Sequence, residues 1–104
     1  VFADVANGAA NGTAVNSTEY VTFTSCVAHD GQYVALKENN SVSIKVAAGA
    51  TLTVTMPYSG GITLNGEAYT LVENVLTYTA TADETVVITG TPGNAYITSI
   101  VIAM

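Results

Sequence analysis

The chain has 104 residues, with two lysines, no arginine and eight acidic residues, for a formal charge of −6. That length builds one hydrophobic core rather than two, and 49% apolar against 10% charged residues gives enough burial to exclude a disordered chain. Two cations cannot neutralise a run of phosphates, so nucleic acid and anionic membrane surfaces are excluded as general partners, and a single His and a single Cys exclude an internal disulfide and structural zinc.

Residues 1–18 are rich in Ala, Asn and Gly and follow neither the helical nor the strand period. They read as a linker-like segment, or one that docks on the domain edge through Phe2. The chain begins at Val1, with no signal peptide, which reads as a piece of a longer secreted protein. The domain proper is expected over 19–104.

From Tyr20 onward the period is two. Val21, Phe23, Ser25 and Val27 alternate with Thr22, Thr24 and Cys26; Val42, Ile44 and Val46 with Ser41, Ser43 and Lys45; Leu52, Val54 and Met56 with Thr51, Thr53 and Thr55. Each run reads as a half-buried antiparallel strand with hydroxyls facing out. Segments 75–81, 84–89 and 95–103 are β-branched and apolar on both faces, and are expected to be more central. Turn signals fall between the runs: Asn39-Asn40, Ala48-Gly49, Ser59-Gly60-Gly61, Asn65-Gly66, Ala82-Asp83 and Thr91-Pro92-Gly93-Asn94. Asn65-Gly66 is a two-residue hairpin signal, and Pro92-Gly93 fits a type II turn. Short strands at regular spacing without a helical period predict an all-β fold, a two-sheet antiparallel β-sandwich of Greek-key or jelly-roll type.

A register follows if the turn after Leu36 centres on Asn39. Val34 would then pair with Ile44 and Leu36 with Val42, apolar against apolar. The opposite face would carry Tyr33, Lys37 and Lys45 together, an aromatic ring beside both ammonium groups of the protein. That combination suits a sugar bearing a carboxylate, since the ring covers the apolar face of the pyranose and lysine supplies charge and donors. Tyr58, in the loop Met56-Pro57-Tyr58-Ser59-Gly60-Gly61, and His29, before the Asp30-Gly31 turn, are candidates for the rim. His29 has no partner spaced for catalysis, and no catalytic residue is expected. Tyr78 and Tyr96 read as core residues whose hydroxyls reach a partner; Tyr20 and Tyr69 stay open. Cys26 reads as an inert, partly buried thiol. The carboxylates form no dense D-x-D run, so no cofactor is expected, with a structural or bridging calcium as the open alternative.

The phrases His29-Asp-Gly-Gln-Tyr33, Asn40-Ser-Val-Ser-Ile-Lys-Val46, Ala48-Gly-Ala-Thr-Leu-Thr-Val54, Leu76-Thr-Tyr-Thr-Ala-Thr81, Thr85-Val-Val-Ile-Thr-Gly90 and Ala95-Tyr-Ile-Thr-Ser-Ile100 resemble small β-sandwich modules appended to extracellular enzymes. Those enzymes degrade plant cell-wall polysaccharide, pectin especially, in gut anaerobes. Carbohydrate-binding module family 77 is the named family the chain resembles, over roughly residues 20–102. The resemblance implies non-catalytic binding of homogalacturonan with lysines on uronate carboxylates, a role that here falls to Lys37 and Lys45. The absence of Trp argues against a flat cellulose platform. The expected protein is therefore an extracellular, monomeric carbohydrate-binding module, covalently linked to a catalytic domain or carried in a cellulosome-type assembly. The competing expectation is a structural spacer or adhesion domain that binds no glycan.

Overall fold

The computed structural model describes residues 20–29 and 33–103, with the backbone alone at 27–29 and 58–59. The 1–18 segment and the Asp30-Gly31 turn lie outside the described residues. The fold is all-β, as the period of two requires. Its strands are β1 (Val21–Thr24), β2 (Val27–His29), β3 (Tyr33–Leu36), β4 (Ser41–Val46), β5 (Thr51–Thr55), β6 (Tyr58–Ser59), β7 (Ile62–Leu64), β8 (Glu67–Tyr69), β9 (Val75–Thr79), β10 (Glu84–Gly90), β11 (Ala95–Ile97) and β12 (Ser99–Ala103).

They form antiparallel sheets of five, four and three strands, in the orders β1-β4-β10-β7-β8, β2-β3-β11-β6 and β12-β5-β9. All three contribute to one core. Val21, Phe23, Val42, Ile44, Val86 and Ile88 come from the first, Val34, Leu36, Ala95 and Ile97 from the second, and Leu52, Val54, Leu76 and Ile100 from the third. This is a β-sandwich, in which side chains of facing sheets interdigitate. The four- and three-stranded sheets are joined by a continuous ribbon. Ser99 opposes Thr55 and Tyr96 opposes Tyr58, the same register offset on both sides of a break at Met56-Pro57. Pro57 has no N–H to give the ladder, and the strands change sheet there. The Thr98 amide still donates to the Thr55 carbonyl (2.9 Å), which holds the ribbon together through the bend.

Three expectations need correction. The hairpin joining β3 to β4 does not form: β3 pairs with β2 and β11, and β4 with β1 and β10. The turn is present, with Asn39 at φ 68° and the Asn40 amide donating to the Lys37 carbonyl (3.0 Å), but it carries the chain from one sheet to another. Val34 and Leu36 thus meet the core from one sheet and Val42 and Ile44 from the other. Gly90 makes the crossing fit. A Cβ there would lie 2.5 Å from the Leu36 carbonyl oxygen and closer still to that of Lys37. The second correction is β9 and β12, which form the two edges of the three-stranded sheet, with Thr77, Thr79, Val101 and Ile102 exposed. The third is the turn at Pro92-Gly93. Its left-handed residue is Asn94 (φ 57°), not Gly93, so it is not type II. Gly93 is needed for contact instead, since its Cβ would come within 2.7 Å of the Gly60 Cα.

The Asn65-Gly66 signal is realised as expected. Both residues have positive φ (51° and 87°), the requirement of a type I′ hairpin, and Leu64 opposes Glu67 across it.

Candidate binding cleft

The register separates the residues that the sequence had grouped. Tyr33 opens β3 in the four-stranded sheet, Lys45 lies in β4 of the five-stranded sheet, and Lys37 sits exposed on the crossing between them. The expected common face of Tyr33, Lys37 and Lys45 depended on the β3–β4 hairpin and goes with it. What Lys45 has beside it is Tyr20. Val21 opposes Ile44 in the β1–β4 ladder, and the Lys45 amide donates to the Tyr20 carbonyl (2.9 Å), extending the pairing by one residue. Directly opposed residues of an antiparallel pair project to the same face, which places a tyrosine ring next to an ammonium group.

Both side chains are exposed, Tyr20 at 55%. Together with Ala47, Ala50 and Ile102 they line an open, mainly apolar cleft of about 280 Å³ where β1 and β4 approach β12. Ala50 is buried and forms a floor; Ile102, 37% exposed, forms the opposite wall. The β4–β5 connection that supplies Ala47 and Ala50 is firmly held. The Ala48 amide donates to Asp83 Oδ1, the Gly49 amide to the Ala80 carbonyl, and the Ala80 amide to the Ala50 carbonyl, each at 2.9 Å. Gly49 takes φ 85°, a conformation that favours glycine. On one side of the cleft lies the solvent face of the five-stranded sheet, where Thr22, Ser43 and Thr85 stand near Tyr20 and Lys45 in the ladder. The chemistry on offer is an apolar wall with one ring, one positive charge and neighbouring hydroxyls.

The remaining candidates gather elsewhere, on the four-stranded sheet. His29 is the register partner of Tyr33, Tyr58 is that of Tyr96, and Tyr96 also opposes Ala35. The Tyr33 and Tyr96 rings meet edge to face, with centroids 6.3 Å apart. Tyr96 is therefore half-buried on the face opposite Ala95 and Ile97 rather than in the core. Ala35, on that same face, has no exposed surface.

Tyr78 behaves as the sequence suggests, and Cys26 does so only in part. Tyr78 packs on the core and donates its hydroxyl to Glu84 Oε1 (2.7 Å). That hydrogen bond, with burial and the Glu84 charge adding to it, raises the Tyr78 pKa above the ordinary tyrosine value. Cys26 is buried rather than on the outward face with Thr22 and Thr24, because the strand breaks at Ser25 (φ 64°) between β1 and β2 and Ser25 is the exposed residue instead. Its thiol donates to the Ser41 carbonyl (3.4 Å), and burial pushes its pKa up to about 11. The adjacent carboxylates Asp83 and Glu84 each accept a structural hydrogen bond. Among the described residues no three His, Cys, Asp or Glu side chains converge on one point.

No family model matches the chain, and neither the curated proteins nor the solved structures contain a match.

Proposed function

We propose that this domain is a non-catalytic carbohydrate-binding module that holds a linked extracellular enzyme against plant cell-wall polysaccharide, specifically pectin. The observation that supports this reading is the pairing of exposed Tyr20 with Lys45 in an open apolar cleft. A uronate residue presents a C–H face to a ring and a carboxylate to an ammonium, and the cleft supplies both. The chain's charge of −6 repels a polyuronate at long range, so the attraction is local, weak and reduced by salt. Function then comes from linkage, because a tethered module raises the effective concentration of its catalytic partner at the wall.

Lys37 is exposed at the crossing and remains a second, separate point of contact for the same acidic chain. Calcium bridging the protein to uronate is an additional route for an acidic module, read out by adding a chelator. The test is affinity electrophoresis in gels containing polygalacturonate, esterified pectin or xyloglucan, with a pull-down on cellulose. Retardation by polygalacturonate that weakens with salt is expected. Retardation by none of them, with no cellulose binding, would instead favour the spacer or adhesion role.

A further inference from the structure

A second concavity lies away from both lysines, where the loop after β6 approaches the hairpin that follows β8. It has a volume of about 360 Å³ and is lined by Gly60, Gly61, Tyr69, Thr70, Leu71 and Asn74. None of these residues is an Asp, Glu, Lys, Arg or His. The lining is mainly polar, in contrast to the Tyr20–Lys45 cleft.

The walls are fixed by the backbone. Val72 and Val75 exchange two hydrogen bonds (3.1 and 3.0 Å) around Glu73 and Asn74, which both have positive φ (52° and 67°). The Met56 amide donates to the Asn74 carbonyl (2.8 Å), pinning this tight turn to the strand ribbon. Opposite, the Gly60 amide donates to the Asn94 carbonyl (2.6 Å), and the Thr91 hydroxyl donates to the Gly61 carbonyl (3.0 Å). Gly60 and Gly93 are in backbone contact that leaves no room for a side chain. Tyr69 packs partly on the core and keeps its ring against the cavity. The Asn74 amide and the Thr70 hydroxyl, both exposed, make no hydrogen bond to any described residue, although the backbone beside each is held in place. A rigid concavity with one ring, one apolar wall and an uncommitted amide and hydroxyl offers stacking together with donors and acceptors, and no charge. Its volume falls near the lower end of the roughly 300–1,000 Å³ found for small-molecule sites.

We propose that this cavity is a second binding site, for an uncharged sugar residue. It is independent of the acidic-glycan reading, since it shares no lining residue with the Tyr20–Lys45 cleft. A module with both sites would engage neutral and acidic stretches of a wall polysaccharide at the same time, gaining avidity without new contacts at either site.

The test is a two-dimensional amide NMR titration of the domain with galactotetraose, xylotetraose and cellotetraose, and separately with oligogalacturonate. With at least one neutral probe, the amides of Gly60, Gly61, Thr70, Leu71 and Asn74 are expected to shift while those of Tyr20 and Lys45 do not. Asn74→Gly keeps the left-handed backbone and deletes the amide, and should weaken that binding about tenfold, the usual scale for a lost polar contact in a site. If no neutral probe moves these amides, or if Asn74→Gly binds as the parent does, the proposal is overturned. The oligogalacturonate arm reads the Tyr20–Lys45 cleft, so failure of one site is distinguishable from failure of the other.

Discussion

Replacing Gly90 with alanine tests the sheet-to-sheet crossing on which the placement of both lysines depends. Gly90 is not in the left-handed region, so the expected cost is one of contact and not of backbone conformation. The added Cβ would press on the carbonyl oxygens of Leu36 and Lys37, which are main-chain atoms and cannot rotate away. The Lys37 carbonyl accepts from the Asn40 amide (3.0 Å), and the Asn40 carbonyl accepts from the Gly90 amide (2.9 Å). Overpacking costs about 1–3 kcal/mol and each of the two endangered hydrogen bonds about 1 kcal/mol, so Gly90→Ala should lose about 3–5 kcal/mol. At roughly 4–8 °C per kcal/mol for a domain of this size, its Tm should fall by well over 10 °C. Gly66→Ala is the control. Its φ of 87° makes alanine unfavourable, but no atom lies within 4 Å of the new Cβ. That conformational penalty is about 1–2 kcal/mol. Urea unfolding followed by circular dichroism gives both values. If Gly90→Ala were no worse than Gly66→Ala, the crossing would be loose and β3 and β4 would not be held apart in separate sheets by this contact.

Two other predictions concern titration. The buried Cys26 thiol has its pKa raised from 9.0 to about 11, so the folded protein holds its proton more tightly than the unfolded chain does. The corresponding stability is fully present below pH 9 and is lost as pH rises through 11. Iodoacetamide at pH 8 should therefore label Cys26 only once the protein is unfolded; rapid labelling of the native domain would contradict its burial. For Tyr78, ultraviolet titration should show a component ionising above the ordinary tyrosine range, and Glu84→Gln should bring it down; an unchanged profile would mean that the hydrogen bond to Glu84 does not form in solution.

The all-β class, the turn positions and the type I′ hairpin at Asn65-Gly66 were legible because each follows from local chemistry: alternation along a strand, or a backbone angle that few residues tolerate. Register between distant strands was not. Pairing Val34 with Ile44 and Leu36 with Val42 buries four apolar residues, but packing them from opposite sheets buries the same four, and alternation is identical in both arrangements. The partner of Lys45 changed with that choice. Tyr20 meets Lys45 only because β1 adds to the edge of β4, a contact across 25 residues of chain with no local signature. Gly93 shows the same limit on a smaller scale. The residue type marked the turn correctly, but its cause was the backbone of Gly60 and not a positive φ. The edge position of β9 was likewise hidden, since its apolar content serves the core through Leu76 and Tyr78 while Thr77 and Thr79 face solvent.

The most direct test of the account is calorimetric titration of oligogalacturonate into the parent domain, Tyr20→Ala, Lys45→Ala and Tyr33→Ala at low salt. Tyr20→Ala and Lys45→Ala should each weaken binding about tenfold, as expected for the loss of a stacking ring or a charge-assisted contact, while Tyr33→Ala, on a different sheet, should bind as the parent does. If Tyr33→Ala abolished binding while Tyr20→Ala and Lys45→Ala left it intact, the cleft would not be the binding site.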